Sequence, residues 1–276
     1  MPTQQNDPLI TILTVNYRTA NFIDLMLFSF EKLTKNNYKV IICDNYSTNK
    51  EVVQLALVVH KYKNIEVILR KQTEFGSIGH AEAMDLLISK VNTPYFVTMD
   101  SDALFLKKNW DDDLISKIDD KVKLIGTTLA PTTNNSKPTD FPLVFAVLYE
   151  TKIFKELEIS FMPKDTLNNP AQDTGWELRG KYISNNYTGE VFKGKNTKFS
   201  LDTPFKHLYC AVYYMDNQLM ASHFGRGSSG GAAKYNTKWW FKIPFVSKFI
   251  RKYIGLKEKK EWIDICYKII DKEVLK

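Results

Sequence analysis

At 276 residues, 44% hydrophobic and 25% charged, the chain can bury a full core and has the balance of a globular protein, which excludes a largely disordered one. Its net charge of +7 is concentrated in the tail, where Lys234, Lys238, Lys242, Lys248, Arg251, Lys252, Lys257, Lys259 and Lys260 stand against Glu258 alone. No apolar run approaches the ~20 residues of a membrane-spanning helix, and Cys43, Cys210 and Cys266 are too far apart for a paired-cysteine zinc site and odd in number for a disulfide framework.

Residues 9–15 form an apolar, β-branched run and residues 39–43 another. Between them, Phe22, Leu25, Met26, Ser29, Phe30 and Leu33 mark one face of a helix over 20–33. The alternation continues with a helix at 51–60, a strand at 65–69, a helix at 81–91 and a strand at 95–99. Such βαβ repetition predicts a mostly parallel sheet covered by helices on both faces. A helix at 114–118 and a strand at 122–127 follow. Beyond Pro131 a polar, proline-bearing loop leads into the apolar run 143–149, and 164–173 is again irregular. Residues 175–182 read as the start of a short helix, and 209–214 and 218–222 as strands.

The chemistry starts where the strand at 95–99 ends. Asp100 and Asp102 are two residues apart in an extended segment, so both carboxylates can face one object at the mouth of a buried strand. Two carboxylates suit a hard divalent cation that leaves its other positions to water and substrate phosphates, which implies Mg²⁺ or Mn²⁺ and a phosphate-bearing substrate. A phosphatase with a nucleophilic aspartate is disfavoured, because it wants the motif after the first strand and a hydroxyl residue where Leu104 stands.

Three stretches taken together carry a family resemblance: "ITILTVNYRT", "KVIICDNYSTN" and "NIEVILRKQTEFGSIGHAEAMDLLISKVNTPYFVTMDSD". In order and spacing they resemble the family 2 glycosyltransferases of the GT-A fold over roughly the first 105 residues. Farther on, "QDTGWELR" resembles the motif that supplies the catalytic base, and "SHF" the late metal-binding histidine. The resemblance implies a Rossmann-like α/β domain over 1–232, with a donor half at 1–105 and an acceptor half at 106–232, and a basic aromatic extension at 233–276.

It also implies roles. Asp44 would read the nucleotide base, beside Thr14, Asn16 and Tyr17, although Asp44-Asn45 is equally a composition for a plain turn. Arg70 would contact the nucleotide, Gly76 and Gly79 would let backbone approach the sugar nucleotide from a loop, and His80 would open the next helix. Asp100 would lie near ribose or metal, with Asp102 and His223 as metal ligands. Asp173 would take the acceptor proton, with Glu177 one helical turn away as the competing base. Trp176 is placed either to stack on an acceptor sugar or to fill the core. Arg226 would clamp the diphosphate, in a loop where Gly225, Gly227, Gly230 and Gly231 permit closure. That loop formally contains Gly-x-Gly-x-x-Gly, but it lacks the βαβ unit and the acidic residue of a dinucleotide site.

The expectation is therefore a metal-dependent transferase that moves a sugar from a nucleoside diphosphate donor, UDP favoured, to a glycan or lipid-linked acceptor hydroxyl with inversion, in surface glycan assembly. The other expectation is a non-catalytic sugar-nucleotide-binding or membrane-associated protein. Trp239, Trp240, Phe241, Phe245, Phe249 and Tyr253 among lysines across 238–254 suit either an anionic membrane surface or packing on the domain itself. No nucleic-acid module accompanies that charge. A reducing, cytoplasmic setting at the inner face of a membrane is expected from the cysteines and from the absence of a leader before Pro8, so the sequons at Asn45, Asn134 and Asn186 are read as chance.

Overall fold

The computed structural model describes residues 7–131, 138–164, 172–206, 208–228 and 244–276, without the side chains of 244–249. Gly230, Gly231 and the aromatic residues 239–241 lie outside the described residues.

Strands β1 (Ile10–Asn16), β2 (Tyr38–Asn45), β3 (Ile65–Arg70) and β4 (Tyr95–Asp100) alternate with helices α1 (Ala20–Leu33), α2 (Asn49–Val59) and α3 (Gly76–Ser89). These four strands are parallel, in the spatial order β3-β2-β1-β4. The sheet then takes β7 (Ala146–Glu150) antiparallel beside β4, followed by β6 (Val122–Gly126) and β8 (Thr188–Val191), for seven strands. Every residue of β1 is buried, as a strand covered on both faces requires. One face packs α1 residues such as Phe22, Leu25 and Phe30, and the other packs α3 residues such as Met84 and Leu87.

A second sheet carries the late strands. It orders β5 (Ala103–Phe105), β11 (Gln218–His223), β10 (Ala211–Met215) and β9 (Lys193–Asn196). Short helices α4 (Trp110–Ile115), α5 (Thr151–Glu156) and α6 (Leu178–Ser184) complete the body, and a long helix, α7 (Pro244–Val274), packs on α1. Trp262, Cys266 and Ile270 of α7 are buried in the same apolar cluster as α1, and Trp262 meets the rings of Phe22, Phe224 and Phe205 at 5.7, 5.7 and 6.4 Å. No described helix is long and apolar enough to cross a membrane.

The expected mixed α/β architecture is present, with three corrections. The helix expected at 81–91 starts at Gly76, so the glycine-bearing segment is that helix's first turn and His80 lies inside it. Two tertiary bonds fix this early start: Asn45 Nδ2 and Arg70 both donate to the Gly79 carbonyl, at 3.0 and 3.4 Å. The helix expected at 114–118 begins at Trp110, whose ring stacks on Phe105 at 4.0 Å. The helix expected from 175 begins at Leu178, because Gly175 adopts φ +72° and turns the chain before it.

Candidate functional site

Parallel register brings the early motifs to one edge. Asn16 lies opposite Asp44, Asn45 opposite Arg70, and Val15 opposite Asp100, so the carboxyl ends of four neighbouring strands open on a common side. Ligands of open α/β sheets collect at that side.

After β4 the chain crosses into the second sheet within two residues. Ala103 of β5 pairs with His223 of β11, which places the imidazole beside the two preceding aspartates. His223 Nε2 is 3.4 Å from Asp100 Oδ2 and 3.3 Å from Asp102 Oδ1. The Asp102 carbonyl accepts from Phe224 N at 2.9 Å, and Asp102 Oδ2 accepts the backbone N–H groups of Arg226 at 2.8 Å and Gly227 at 2.7 Å. One carboxylate oxygen is thus held by backbone while the other faces His223.

These contacts set the titration of all three groups. Burial pushes the Asp102 carboxyl up, but His223 and the two backbone N–H groups outweigh it, and its pKa falls below the ordinary value. Burial dominates at Asp100, whose pKa rises despite His223 and His80. At His223 burial pulls the pKa down, yet Asp102 and Asp100 raise it above its ordinary 6.5.

The group also suits a cation. One ligand atom from each of Asp100, Asp102 and His223 lies within 4.8 Å of the others, near the span of about 4.2 Å across an ion whose ligands sit ~2.1 Å away. Two carboxylate oxygens and a borderline imidazole nitrogen form a donor set able to hold a divalent cation.

This cluster floors a cleft of about 510 Å³. Tyr17, Gly76, His80, Asp173 and Arg226 also line it, together with Asn45, Gln72, Phe75, Phe145 and Thr174. Asp173 therefore shares one cavity with the aspartate–histidine cluster although it is some seventy residues distant from Asp102. Glu177 lies outside the lining, its carboxylate accepting from Ser160 N at 2.8 Å and pairing with Lys181 at 3.0 Å. Trp176 donates Nε1 to the Met162 carbonyl at 3.0 Å.

Thr14 and Asn16, expected beside the nucleotide, are fully buried and lie outside the lining of this cleft. Asp44 is only 2% exposed and accepts from Asn16 Nδ2 at 2.6 Å and Ser47 N at 3.0 Å. Its neighbour Asn45 is the strand-end residue that lines the cavity. Arg70 donates to Asn45 Oδ1 at 2.7 Å and pairs with Glu82, so it braces Asn45 from below. The Arg226 guanidinium engages Glu258 at 3.1 Å, donates to the Tyr209 carbonyl and lies 4.1 Å over the Phe224 ring. Sequence reading missed Asn45 as a cleft residue, having treated it as the turn after Asp44. It also missed Phe145, whose ring lies 4.9 Å from that of His223; no motif marks it, only its place just before β7.

With this geometry in view, residues 11–168 match the family model described as Glycosyl transferase family 2. The chain belongs to that family. Its fold neighbours agree: over 67% of the chain it superposes on a Pyrobaculum calidifontis mannosyltransferase in complex with GDP-Man and Mn²⁺, at a TM-score of 0.52, 14% identity and 55% of that chain. It likewise superposes on Staphylococcus aureus TarS in complex with UDP-GlcNAc, at 0.50, 15% identity and 56% of that chain, again over 67% of its own length. Among curated relatives, a processive diacylglycerol beta-glycosyltransferase of Mycoplasma genitalium is 31% identical over 114 residues, 41% of this chain and 32% of that protein. An uncharacterized glycosyltransferase of Haemophilus influenzae is 22% identical over 127 residues, 45% of this chain and 38% of that protein. The match thus spans about a third of each curated relative. This family 2 glycosyltransferase domain has the GT-A architecture, and the two residues at the centre of its cleft, Asp100 and Asp102, fall inside the matched stretch while His223 falls beyond it.

Proposed function

We propose that the chain transfers a sugar from a nucleoside diphosphate donor, UDP favoured, to an acceptor hydroxyl with inversion, using a divalent cation held by Asp100, Asp102 and His223. The observation that carries this reading is the convergence of those three side chains in the cleft that also holds Asp173. A cation bound there supplies positive charge to the diphosphate oxygens as negative charge develops on the leaving group.

The protein's own groups do the rest. Tyr17 and Asn45 face the nucleoside from the cleft wall, and the buried Asp44, bonded to Asn16 and Ser47 with Thr14 nearby, holds that strand end in place rather than reading the base itself. Arg70 acts by bracing Asn45. Gly76 brings the first turn of α3 up to the donor, Gly79 letting that turn close on the Glu74 carbonyl, so that His80 reaches a phosphate or sugar hydroxyl and Arg226 approaches the diphosphate. Asp173 takes the proton from the acceptor hydroxyl as its oxygen bonds to the anomeric carbon from the side opposite the departing diphosphate, which inverts that centre. Glu177, committed to Ser160 and Lys181, holds the base segment in place.

Two likenesses support the donor and acceptor classes. The solved neighbours are complexes with GDP-Man and with UDP-GlcNAc, and the Mycoplasma relative is named for a diacylglycerol acceptor, which favours a lipid-linked or glycan acceptor at a membrane surface. The domain limits we propose are 1–232 for the transferase and 233–276 for the extension.

The test is nucleoside diphosphate release from a panel of nucleotide sugars with Mn²⁺, with Mg²⁺ and with EDTA. Metal-dependent release from one donor supports the reading. Metal-independent release overturns the cation's role, and absence of both release and donor binding across the panel overturns the transferase.

A further inference from the structure

Helix α7 lies beyond the residues that match the family, yet it holds the aspartate–histidine cluster from behind. Glu258, Lys259 and Trp262 fall on one face of the helix, within a turn of one another. The buried Glu258 carboxylate accepts from the Arg226 guanidinium at 3.1 Å. Lys259 Nζ donates to the Gly227 carbonyl. Trp262 Nε1 donates at 3.0 Å to the hydroxyl of Ser222, the residue before His223. Arg226 and Gly227 are the residues whose backbone N–H groups hold Asp102 Oδ2.

A loop built on Gly225 and Gly227 has little side-chain packing of its own and much backbone freedom. Beside the Arg226 bond to the Tyr209 carbonyl, the helix supplies its restraint. A buried carboxylate is tolerated only with its partner in place, so the Glu258–Arg226 pair fixes where residue 226 sits, while Lys259 fixes the next residue and Trp262 the strand that carries His223.

We propose that α7 is the positioning element of the metal site, with Glu258 and Lys259 as positioning residues that set the Arg226-Gly227 backbone and, through it, the orientation of the Asp102 carboxylate. The proposal rests on the cation reading above. It predicts that the helix governs metal affinity without touching the metal.

The experiment is a Mn²⁺ titration of the full chain, read as loss of the free-ion electron paramagnetic resonance signal, for wild type, Glu258→Gln, Lys259→Met, Lys259→Arg and Ile270→Ala. Ile270 is buried on α7 two turns beyond Trp262, so its truncation loosens the helix away from the cluster. The expected result is a Mn²⁺ affinity lowered at least about tenfold, the effect typical of residues that orient metal ligands, in Glu258→Gln and Lys259→Met. Lys259→Arg should restore most of it, and Ile270→Ala should bind as wild type does. Should Glu258→Gln fail to fold, Lys259→Met decides, since it leaves the Glu258–Arg226 pair intact. Unchanged affinity in the Glu258 and Lys259 variants, or an equal loss in Ile270→Ala, overturns the positioning role alone. A wild type that takes up no Mn²⁺ overturns the cation reading and this proposal with it.

Discussion

Gly227 presses on Asp102 so closely that a methyl group at its Cα would stand 2.7 Å from Asp102 Cβ and 2.9 Å from Cγ. The residue donates its N–H to the same carboxylate, so the close approach is what lets the bond form. Gly227→Ala must therefore displace the Asp102 side chain or the loop. Mn²⁺ affinity should fall at least about tenfold, measured by calorimetry, and an alanine variant with wild-type affinity would refute the claim that this approach shapes the site.

Asp102→Asn tests the charge without the shape. Asparagine retains one oxygen for the N–H groups of Arg226 and Gly227, so the fold should survive with its melting temperature little changed. The lost negative charge should lower metal-dependent nucleoside diphosphate release by at least about a hundredfold. Full activity in this variant would remove Asp102 from the mechanism.

Much of this site was legible in the sequence, for identifiable reasons. The strand before Asp100 is an uninterrupted apolar run, and buried parallel strands read that way, so the position of the aspartates followed from local pattern. His223 came with the resemblance of "SHF" to the family's late histidine, since an alternating strand ending at a glycine-rich loop marks a strand end and not a ligand. The start of α3 was not legible, because Gly76 and Gly79 argue against a helix on propensity, whereas tertiary bonds from Asn45 and Arg70 to the Gly79 carbonyl brace the turn in the fold. The role of α7 was hidden as well. Trp262, Cys266 and Ile270 recur every fourth residue, but the lysines around them dominate the segment, and Glu258 looked like one acid among many bases until Arg226 was found beside it.

At the proposed metal site the cation and the proton would compete for His223. Its pKa is raised in the folded, metal-free protein, so its charged form adds stability that is complete below the unfolded value near 6.5 and lost as pH rises through the folded value. Metal takes the imidazole in its neutral form. The gain in melting temperature from saturating Mn²⁺ should accordingly be smallest near pH 6 and grow toward about pH 8, and EDTA should abolish it. A gain independent of pH over that window in scanning fluorimetry would exclude His223 as a ligand.

Asp173 and Glu177 make opposite predictions although they lie four residues apart. Asp173 lines the cleft, whereas Glu177 is occupied by Ser160 N and Lys181. A general base contributes ~10²–10⁴-fold to rate, so Asp173→Asn should lower kcat within that range while donor affinity stays unchanged. Glu177→Gln keeps an oxygen for Ser160 N and loses only a part-exposed ion pair worth under ~1 kcal/mol; its kcat should fall less than about tenfold. Steady-state kinetics with a competent acceptor, together with donor binding by calorimetry, separates the two. The reverse pattern, a collapse of kcat in Glu177→Gln with Asp173→Asn near wild type, would move the base to Glu177 and require the α6 start to open during turnover.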